Sequence, residues 1–264
     1  MPPEKPSTLT GEFRSHERFH SAYLDNERTL IVLIPPGYDS VPGRRYPVLY
    51  LHDGQNVFDR ATSVGEEWRV DETALGLMSA GAIEPLIIVA IYNTGEGRAD
   101  EYTPTRDASK GGGKAPLYGR MLVEEIKPMV DREYRTLADR SNTAVGGSSL
   151  GGLLTLYLGM THPGVFSRLA AVSPSIWWDG KRILADVRSL PSKLPLRIWL
   201  DAGTREGEEV IADTRALRAA LLAKGWVIGE DLAYSEAEGG EHNETSWAGR
   251  VEPLLRFLFP TTSR

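Results

Sequence analysis

Short apolar segments alternate with longer segments of helical periodicity from residue 48 onward. This alternation predicts strand–helix–strand units with right-handed crossovers, because each helix must return the chain to a neighbouring parallel strand. The predicted strands are residues 48–51, 86–91, 143–145, 169–172 and 196–200. We therefore expect an α/β fold of three layers, in which helices cover both faces of a mostly parallel central sheet.

The N-terminal part of the chain has a different pattern. Two strand-like runs, residues 12–20 and 29–34, are separated by the turn-forming pair Asp25 and Asn26 and are followed by a Pro-Pro-Gly stop. This pattern predicts an antiparallel hairpin at one edge of the sheet.

Length and composition limit the number of domains and exclude several functions. The 264 residues can form one domain, so we expect the polar, proline-rich residues 1–10 to be a flexible segment before a single domain of residues 11–264. The net charge of -6 is spread over mixed acidic and basic residues, so no basic face is available to bind nucleic acid. With no cysteine, the chain has no thiolate nucleophile and no cysteine metal ligand.

The patterns typical of targeting signals and of cofactor sites are not predicted in the given sequence. The opening residues lack the apolar core of a secretory signal, and no later apolar run reaches membrane-spanning length. We therefore expect a cytoplasmic protein without a membrane partner, and no pattern indicates an oligomeric state. We expect no metal and no cofactor, because the chain has no cysteine ligand and the glycine-rich run 110–115 lacks the spacing of a nucleotide-binding loop.

The sharpest local signal lies in residues 143–152. A strand-like apolar run ends in Gly-x-Ser-x-Gly, whose serine is Ser149, and the helical pattern of residues 153–158 follows at once. A serine in such a strand–turn–helix is exposed at the edge of a sheet, and side chains in place of the glycines would collide with neighbouring backbone. Ser149 is therefore the candidate nucleophile.

A serine hydroxyl attacks a substrate at neutral pH only if a neighbouring base takes its proton. His242 is the candidate base, because it lies in the loop 238–244, between the strand-like run 231–235 and a final helix. The other four histidines lie in the hairpin, at a helix end or in another loop.

The base in turn needs a carboxylate that holds its imidazole in the right tautomer. A carboxylate-rich loop follows the last apolar strand, and Glu206 is favoured because it lies beyond the glycine turn of that loop. Asp201 and Glu208 are the alternatives, although Asp201 can cap the turn and Glu208 can stabilise the start of the next helix. The chain order Ser149, Glu206, His242 is typical of α/β-hydrolases.

A tetrahedral oxyanion needs two backbone N–H donors. Leu150 can supply one because it follows the candidate nucleophile, and the loop 52–56 can supply the other. In that loop we expect Gly54 to let the backbone approach a substrate, which makes the N–H of Gln55 the second candidate donor. The alternative is an ordinary turn, since Asp-Gly is a common turn dipeptide.

Two long irregular segments, residues 93–116 and 173–194, follow strand ends at the same sheet edge. Long loops at the carboxyl ends of parallel strands commonly bind ligands. The side chains that we expect to line a cleft there are Trp177, Trp178, Tyr102, Phe58 and Arg98. The paired tryptophans have a second interpretation, since adjacent large side chains can also anchor a loop in the core.

Several segments carry a family resemblance. They are YLHDGQNVFD at 50–59, EYTP at 101–104, GGGKA at 111–115, GSSLGG at 147–152, SPSIWW at 173–178 and GEH at 240–242. Over nearly the whole chain they resemble the putative-esterase family of α/β-hydrolases. That family includes ferric-siderophore trilactone esterases, feruloyl and acetylxylan esterases, S-formylglutathione hydrolase and mycolyltransferases. The DGQN form is most similar to the bacterial siderophore-esterase branch.

The resemblance implies a serine esterase of α/β-hydrolase fold that acts on small-molecule esters without a cofactor. It implies Ser149 as nucleophile, His242 as base, Glu206 as acid, and Gln55 and Leu150 as oxyanion donors, although family members often carry Asp as the acid. Macrocyclic trilactones, feruloyl or acetyl esters of saccharides and simple short-chain esters are all open as substrates. An acyltransferase using the same acyl-enzyme and a non-catalytic binding protein are the alternatives of another class.

Overall fold

A computed structural model describes residues 5–261 of the chain. Of residues 1–10, which we expect to be flexible, residues 1–4 lie outside the described part. Nearer the first strand, the Thr10 N–H donates to Asp71 Oδ2 over 2.7 Å. This bond ties the end of the segment to the body of the protein.

A mostly parallel sheet forms the centre of the structure. The strands of residues 5–261 are β1 (Glu12–Ser21), β2 (Asn26–Ile34), β3 (Val48–His52), β4 (Ile87–Ile91), β5 (Arg106–Asp107), β6 (Gly111–Gly112), β7 (Thr143–Ser148), β8 (Arg168–Val172), β9 (Arg197–Gly203) and β10 (Leu232–Ala237). Eight of them form one sheet in the order β1-β2-β4-β3-β7-β8-β9-β10, while β5 pairs with β6 separately. β2 is antiparallel to both of its neighbours, and the remaining pairs of the large sheet are parallel. The predicted α/β-hydrolase fold with an N-terminal antiparallel hairpin is confirmed.

Helices lie between the strands in the chain. Those of residues 5–261 are α1 (Val70–Ser79), α2 (Arg98–Tyr102), α3 (Ala115–Arg120), α4 (Lys127–Glu133), α5 (Leu150–Thr161), α6 (Trp178–Ser189), α7 (Glu208–Ala223), α8 (Glu244–Ala248) and α9 (Val251–Leu258). Residues Met121–Ile126 join α3 to α4 as a wider π-helical turn. Within this described range, no helix combines the length and the apolar character that a bilayer crossing demands.

Alternating side chains of the central strands create two cores. Along β3, Val48 and Tyr50 belong to the core that includes side chains of α3 to α7, whereas Leu49 and Leu51 belong to the core that includes those of α1 and α9. Every residue of β3 and of β4 is buried, as expected for parallel strands covered on both faces. The carboxyl ends of the strands are therefore left to the loops that form a site.

The strand that leads to Ser149 is longer than the sequence predicts. Local preference places its end at residue 145, because the two glycines that follow disfavour a strand, yet β7 continues to Ser148. It pairs with β3 on one side and β8 on the other. A Cβ on Gly146 would lie 2.6 Å from the Cβ of Ala170. Close pairing on both sides thus overrides the local preference of glycine.

Gly54 lies where the loop after β3 crosses the end of β4, and it provides a test of this packing. A Cβ at Gly54 would lie 2.7 Å from backbone atoms of Ala90 and Ile91. The Gly54→Ala variant should therefore lose about 1–3 kcal/mol of unfolding free energy, because backbone must move to make room.

The matched control is Gly76→Ala. Gly76 lies inside α1 with open space around it, so alanine there should keep the stability or raise it by up to about 1 kcal/mol. Urea unfolding followed by circular dichroism measures both variants. Equal stabilities of the two variants would contradict the packing argument.

Candidate active site

Ser149 forms the turn between β7 and α5. β7 ends at Ser148 and α5 begins at Leu150, so this one residue redirects the chain, with φ 57° and ψ -121°. A positive φ strains any residue other than glycine, and such strain is concentrated at functional sites. The Ser149 N–H donates to Val172 O over 3.0 Å, and the Ser175 N–H donates to Ser149 O over 3.0 Å. These two bonds hold the strained turn in place.

His242 lies beside the hydroxyl of Ser149. Its Nε2 is 2.9 Å from Ser149 Oγ, a distance at which the hydroxyl can donate its proton to the ring. The His242 ring packs edge-on against Trp247, with ring centroids 5.0 Å apart. The next residue, Asn243, caps α8 by accepting a hydrogen bond from the Ser246 N–H. The loop is thus anchored at the ring and at the backbone.

A carboxylate extends the hydrogen-bonded chain. Glu206 Oε2 lies 2.8 Å from His242 Nδ1, so an N–H at Nδ1 can donate to the carboxylate. The other oxygen, Oε1, accepts from Ser173 Oγ over 2.6 Å, from the Gly203 N–H over 2.7 Å and from Arg250 Nη2 over 3.1 Å. The Glu206 side chain is fully buried.

These hydrogen bonds decide the charge of Glu206. Burial alone would raise the pKa of the carboxyl group. The hydrogen bonds from His242, Ser173, Arg250 and the Gly203 N–H outweigh burial and lower the pKa to about 2. Glu206 is therefore ionised at neutral pH and can keep His242 in the tautomer that accepts a proton at Nε2.

The other two candidate acids lie elsewhere. Asp201 is fully buried beneath the site, where its oxygens accept from Arg250 Nη1 over 3.0 Å and from Trp199 Nε1 over 2.7 Å. Burial raises the pKa of Asp201 in spite of these donors. Glu208 is exposed at the start of α7. Of these three carboxylates, Glu206 is the one hydrogen-bonded to the imidazole.

The structure adds three residues to the site that the sequence patterns do not predict. Arg250 binds Glu206 from the turn between α8 and α9, and Ser173 binds the same carboxylate from the loop after β8. Ser175 Oγ lies 3.3 Å from Ser149 Oγ. Ser173 and Ser175 belong to the SPSIWW segment, so a motif marked their position. Arg250 lies in an ordinary helical pattern that gives no such signal.

The two candidate oxyanion donors lie on adjacent loops. Leu150 is the first residue of α5, where backbone N–H groups have no acceptor within the helix. Gln55 lies in the middle of a short 3₁₀ turn. A Cβ on Gly151 would lie 3.3 Å from the Cβ of His52, so α5 begins against the loop that carries Gln55. Gly54 packs against the β4 backbone, which is a structural reason for glycine at this position, and the approach of a substrate to it stays a prediction.

The structure exposes one of the aromatic residues expected to line the cleft and buries the other three. Trp177 is 45% exposed. Trp178 is 2% exposed and donates from Nε1 to Thr105 O, so it anchors a loop. Tyr102 and Phe58 are buried in the two cores. These three side chains pack within the protein, which favours the loop-anchoring interpretation of Trp178, and substrate contact by Trp178, Tyr102 and Phe58 stays a prediction.

Arg98, which was also expected at the cleft, is bound to a protein carboxylate. Its Nε and Nη2 lie 2.6 and 2.7 Å from the two carboxylate oxygens of Asp53. Burial lowers the pKa of Arg98, but the hydrogen bonds and the charge of Asp53 outweigh burial and raise the pKa above its ordinary value. The guanidinium is therefore engaged by the loop that carries Gln55.

Comparisons with known proteins identify the family of this chain. The model of the family described as "Putative esterase" matches residues 21–258. The Ferri-bacillibactin esterase BesA of Bacillus subtilis (strain 168) is 31% identical over 203 residues, which cover 69% of this chain and 68% of that protein. The Endo-1,4-beta-xylanase/feruloyl esterase of Xylanibacter ruminicola is 27% identical over 246 residues, which cover 91% of this chain and 30% of that protein.

A solved structure gives the same picture of the fold. The enterobactin esterase FES from Shigella flexneri superposes with a TM-score of 0.77 at 24% identity, over 95% of this chain and 60% of that chain. At this identity the likeness shows the fold alone. The family resemblance inferred from the sequence motifs is confirmed by the family match over residues 21–258.

The charge of Glu206 makes a testable contribution to stability. Its pKa lies at about 2 instead of the ordinary 4.5, so the charged form stabilises the fold above pH 4.5, and this contribution is lost as the pH falls toward 2. The Glu206→Gln variant should lose about 3 kcal/mol of unfolding free energy at pH 7 and progressively less as the pH approaches 3.

Chemical unfolding of wild type and variant at pH 7, 5, 4 and 3 measures this difference. The exposed Glu208→Gln is the matched control and should show the wild-type dependence on pH. A loss for Glu206→Gln that is as large at pH 3 as at pH 7 would contradict the assigned charge.

Proposed function

This chain belongs to the Putative esterase family and is an ester hydrolase, and we propose that it cleaves its substrates through an acyl-enzyme formed on Ser149. Ser149 is the nucleophile, His242 the general base and acid, and Glu206 the carboxylate that orients the imidazole. The N–H groups of Gln55 and Leu150 bind the oxyanion. The substrates are small-molecule esters.

In the first half-reaction, Ser149 Oγ attacks the ester carbonyl while His242 Nε2 takes the hydroxyl proton. The ionised Glu206 stabilises the imidazolium that forms. Negative charge develops on the carbonyl oxygen and is stabilised by the two backbone N–H donors. His242 then gives its proton to the alcohol oxygen, the ester bond breaks, and the acyl group stays on Ser149.

Water completes the reaction. A water molecule attacks the acyl carbon while His242 takes one of its protons, and the oxyanion returns to the same two N–H donors. When the tetrahedral intermediate collapses, the bond to Ser149 Oγ breaks and His242 returns the proton to that oxygen. The carboxylic acid leaves and the enzyme regains its starting state.

One observation carries this proposal. The distances of 2.9 Å from Ser149 Oγ to His242 Nε2 and of 2.8 Å from His242 Nδ1 to Glu206 Oε2 form one continuous hydrogen-bonded chain. The serine at its end has strained backbone at the start of a helix. Since an ordinary surface histidine would not need a buried, ionised carboxylate behind it, the arrangement supports nucleophilic catalysis.

We further propose ester-linked siderophores, such as ferric catecholate trilactones, as the substrate class. The similarity to a ferri-bacillibactin esterase supports this choice. Trp177, two residues beyond Ser175, is half exposed, and Lys110 Nζ lies 5.6 Å from the centroid of its ring. An aromatic face next to a cation suits an anionic aromatic group.

The catalytic roles can be tested by substitution. Ser149→Ala should retain less than about 1% of wild-type turnover of p-nitrophenyl butyrate, since the nucleophile is lost, and Glu206→Gln should lose about 10²- to 10⁴-fold. The exposed Ser189→Ala on α6 is the control and should keep full activity. Substantial turnover by Ser149→Ala would refute the mechanism.

The substrate class can be tested with matched esters. The wild type should hydrolyse a ferric catecholate trilactone with a higher kcat/KM than methyl ferulate or p-nitrophenyl acetate. Trp177→Ala should raise KM for the trilactone by up to about tenfold, because one aromatic contact is lost, and should leave p-nitrophenyl acetate unchanged. A preference for methyl ferulate would shift the proposal to feruloyl esters.

A further inference from the structure

The loop that carries Gln55 is held by α2. Asp53 has left-handed backbone, with φ 57° and ψ 43°, at the start of the 3₁₀ turn. Its N–H donates to Tyr102 OH over 3.0 Å, and its carboxylate accepts from Arg98 Nε and Nη2 over 2.6 and 2.7 Å. Arg98 and Tyr102 are the first and last residues of α2. One short helix thus holds Asp53 by its backbone and by its side chain.

Asn93, which lies between β4 and α2, contacts both Asp53 and Gln55. Asn93 Nδ2 donates to Asp53 Oδ1 over 2.7 Å, and the Asn93 N–H donates to Gln55 Oε1 over 3.2 Å. The Arg98 guanidinium shares the Asp53 carboxylate with this amide. A connected network therefore surrounds the turn whose N–H is the proposed oxyanion donor.

α2 is in turn tied to the core of the protein. Glu101 of α2 forms an ion pair of 3.0 Å with Arg28 of β2, and the two side chains are 3% and 0% exposed. Thr94 Oγ1 also donates to Glu101 over 3.0 Å. Breaking a buried ion pair would leave an unpaired charge, so the position of α2 is strongly constrained. A rigid support of this kind is what a preorganised oxyanion site requires.

We propose that Arg98 is a positioning residue, whose ion pair with Asp53 fixes the loop so that the Gln55 N–H faces the developing oxyanion. This inference rests on the serine-esterase mechanism proposed above and replaces the expectation that Arg98 binds substrate. Asp53 takes up two of the guanidinium nitrogens, and the guanidinium carbon lies 5.1 Å from the centroid of the Tyr102 ring. Loss of Arg98 should therefore lower kcat and leave KM nearly unchanged, because oxyanion contacts strengthen in the transition state.

Two esters separate positioning from substrate binding. p-Nitrophenyl butyrate is neutral and mono-p-nitrophenyl succinate is anionic. We expect Arg98→Met to lower kcat by about ten- to a hundredfold for both esters, with KM changed by less than about threefold, because a displaced oxyanion donor is lost to both alike. Arg98→Lys keeps the positive charge but cannot form the bidentate contact with Asp53, so its kcat should lie between that of wild type and that of Arg98→Met.

A double variant tests whether Arg98 acts through Asp53. If it does, Asp53→Asn combined with Arg98→Met should lose no more activity than the worse single variant, because both changes break the same contact. Arg106→Met, at an exposed arginine of β5, is the matched control and should keep wild-type kcat. Urea unfolding checks that each variant is folded. If Arg98→Met does not fold, the comparison is made with Arg98→Lys instead.

Several results would overturn the inference. A loss confined to the anionic ester would make Arg98 a substrate contact, and additive losses in the double variant would mean that Arg98 does not act through Asp53. An active wild type whose Arg98→Met variant keeps full kcat would refute this inference alone. A wild type without turnover that depends on Ser149 would refute the proposed function and this inference with it.

Discussion

The candidate site depends on one buried, ionised carboxylate. Glu206 accepts hydrogen bonds from His242, from Ser173 after β8, from the Gly203 N–H at the end of β9 and from Arg250 between the last two helices. Because the donors come from different elements, the charge is stabilised only when those elements are assembled. The same carboxylate is hydrogen-bonded to His242 Nδ1, so in the proposed mechanism the contacts that stabilise this charge also position the base.

A second network supports the opposite side of the site. There the buried pair of Arg28 and Glu101 anchors α2, and α2 holds Asp53 beside the turn of Gln55. Both networks lie at the carboxyl ends of the parallel strands, where each strand delivers a loop to the same edge. Ser149 lies between them on its strained turn. In the proposed mechanism, the first network supports proton transfer and the second supports the oxyanion donor.

The sequence predicts the fold class and the family well, because apolar periodicity and the Gly-x-Ser-x-Gly turn are local signals. The sequence predicts the residues that line the site less well, because their positions depend on the direction of each side chain. Aromatic residues suit a core as well as a cleft, so burial of Trp178 and Phe58 could not be read from residue type. The contacts of Arg250 and of Arg98 join segments distant in the chain, and no local pattern marks them. The catalytic roles and the single domain of residues 11–264 stay predictions.

The measurement closest to the central claim is direct detection of the acyl-enzyme. Wild-type protein mixed with p-nitrophenyl butyrate is quenched with acid within milliseconds, and its intact mass and peptide map are recorded. The proposed mechanism predicts one butyryl group per chain, located on the peptide that contains Ser149 and absent from Ser149→Ala. Release of butyrate from a chain that stays unmodified, or a butyryl group on another residue, would contradict it.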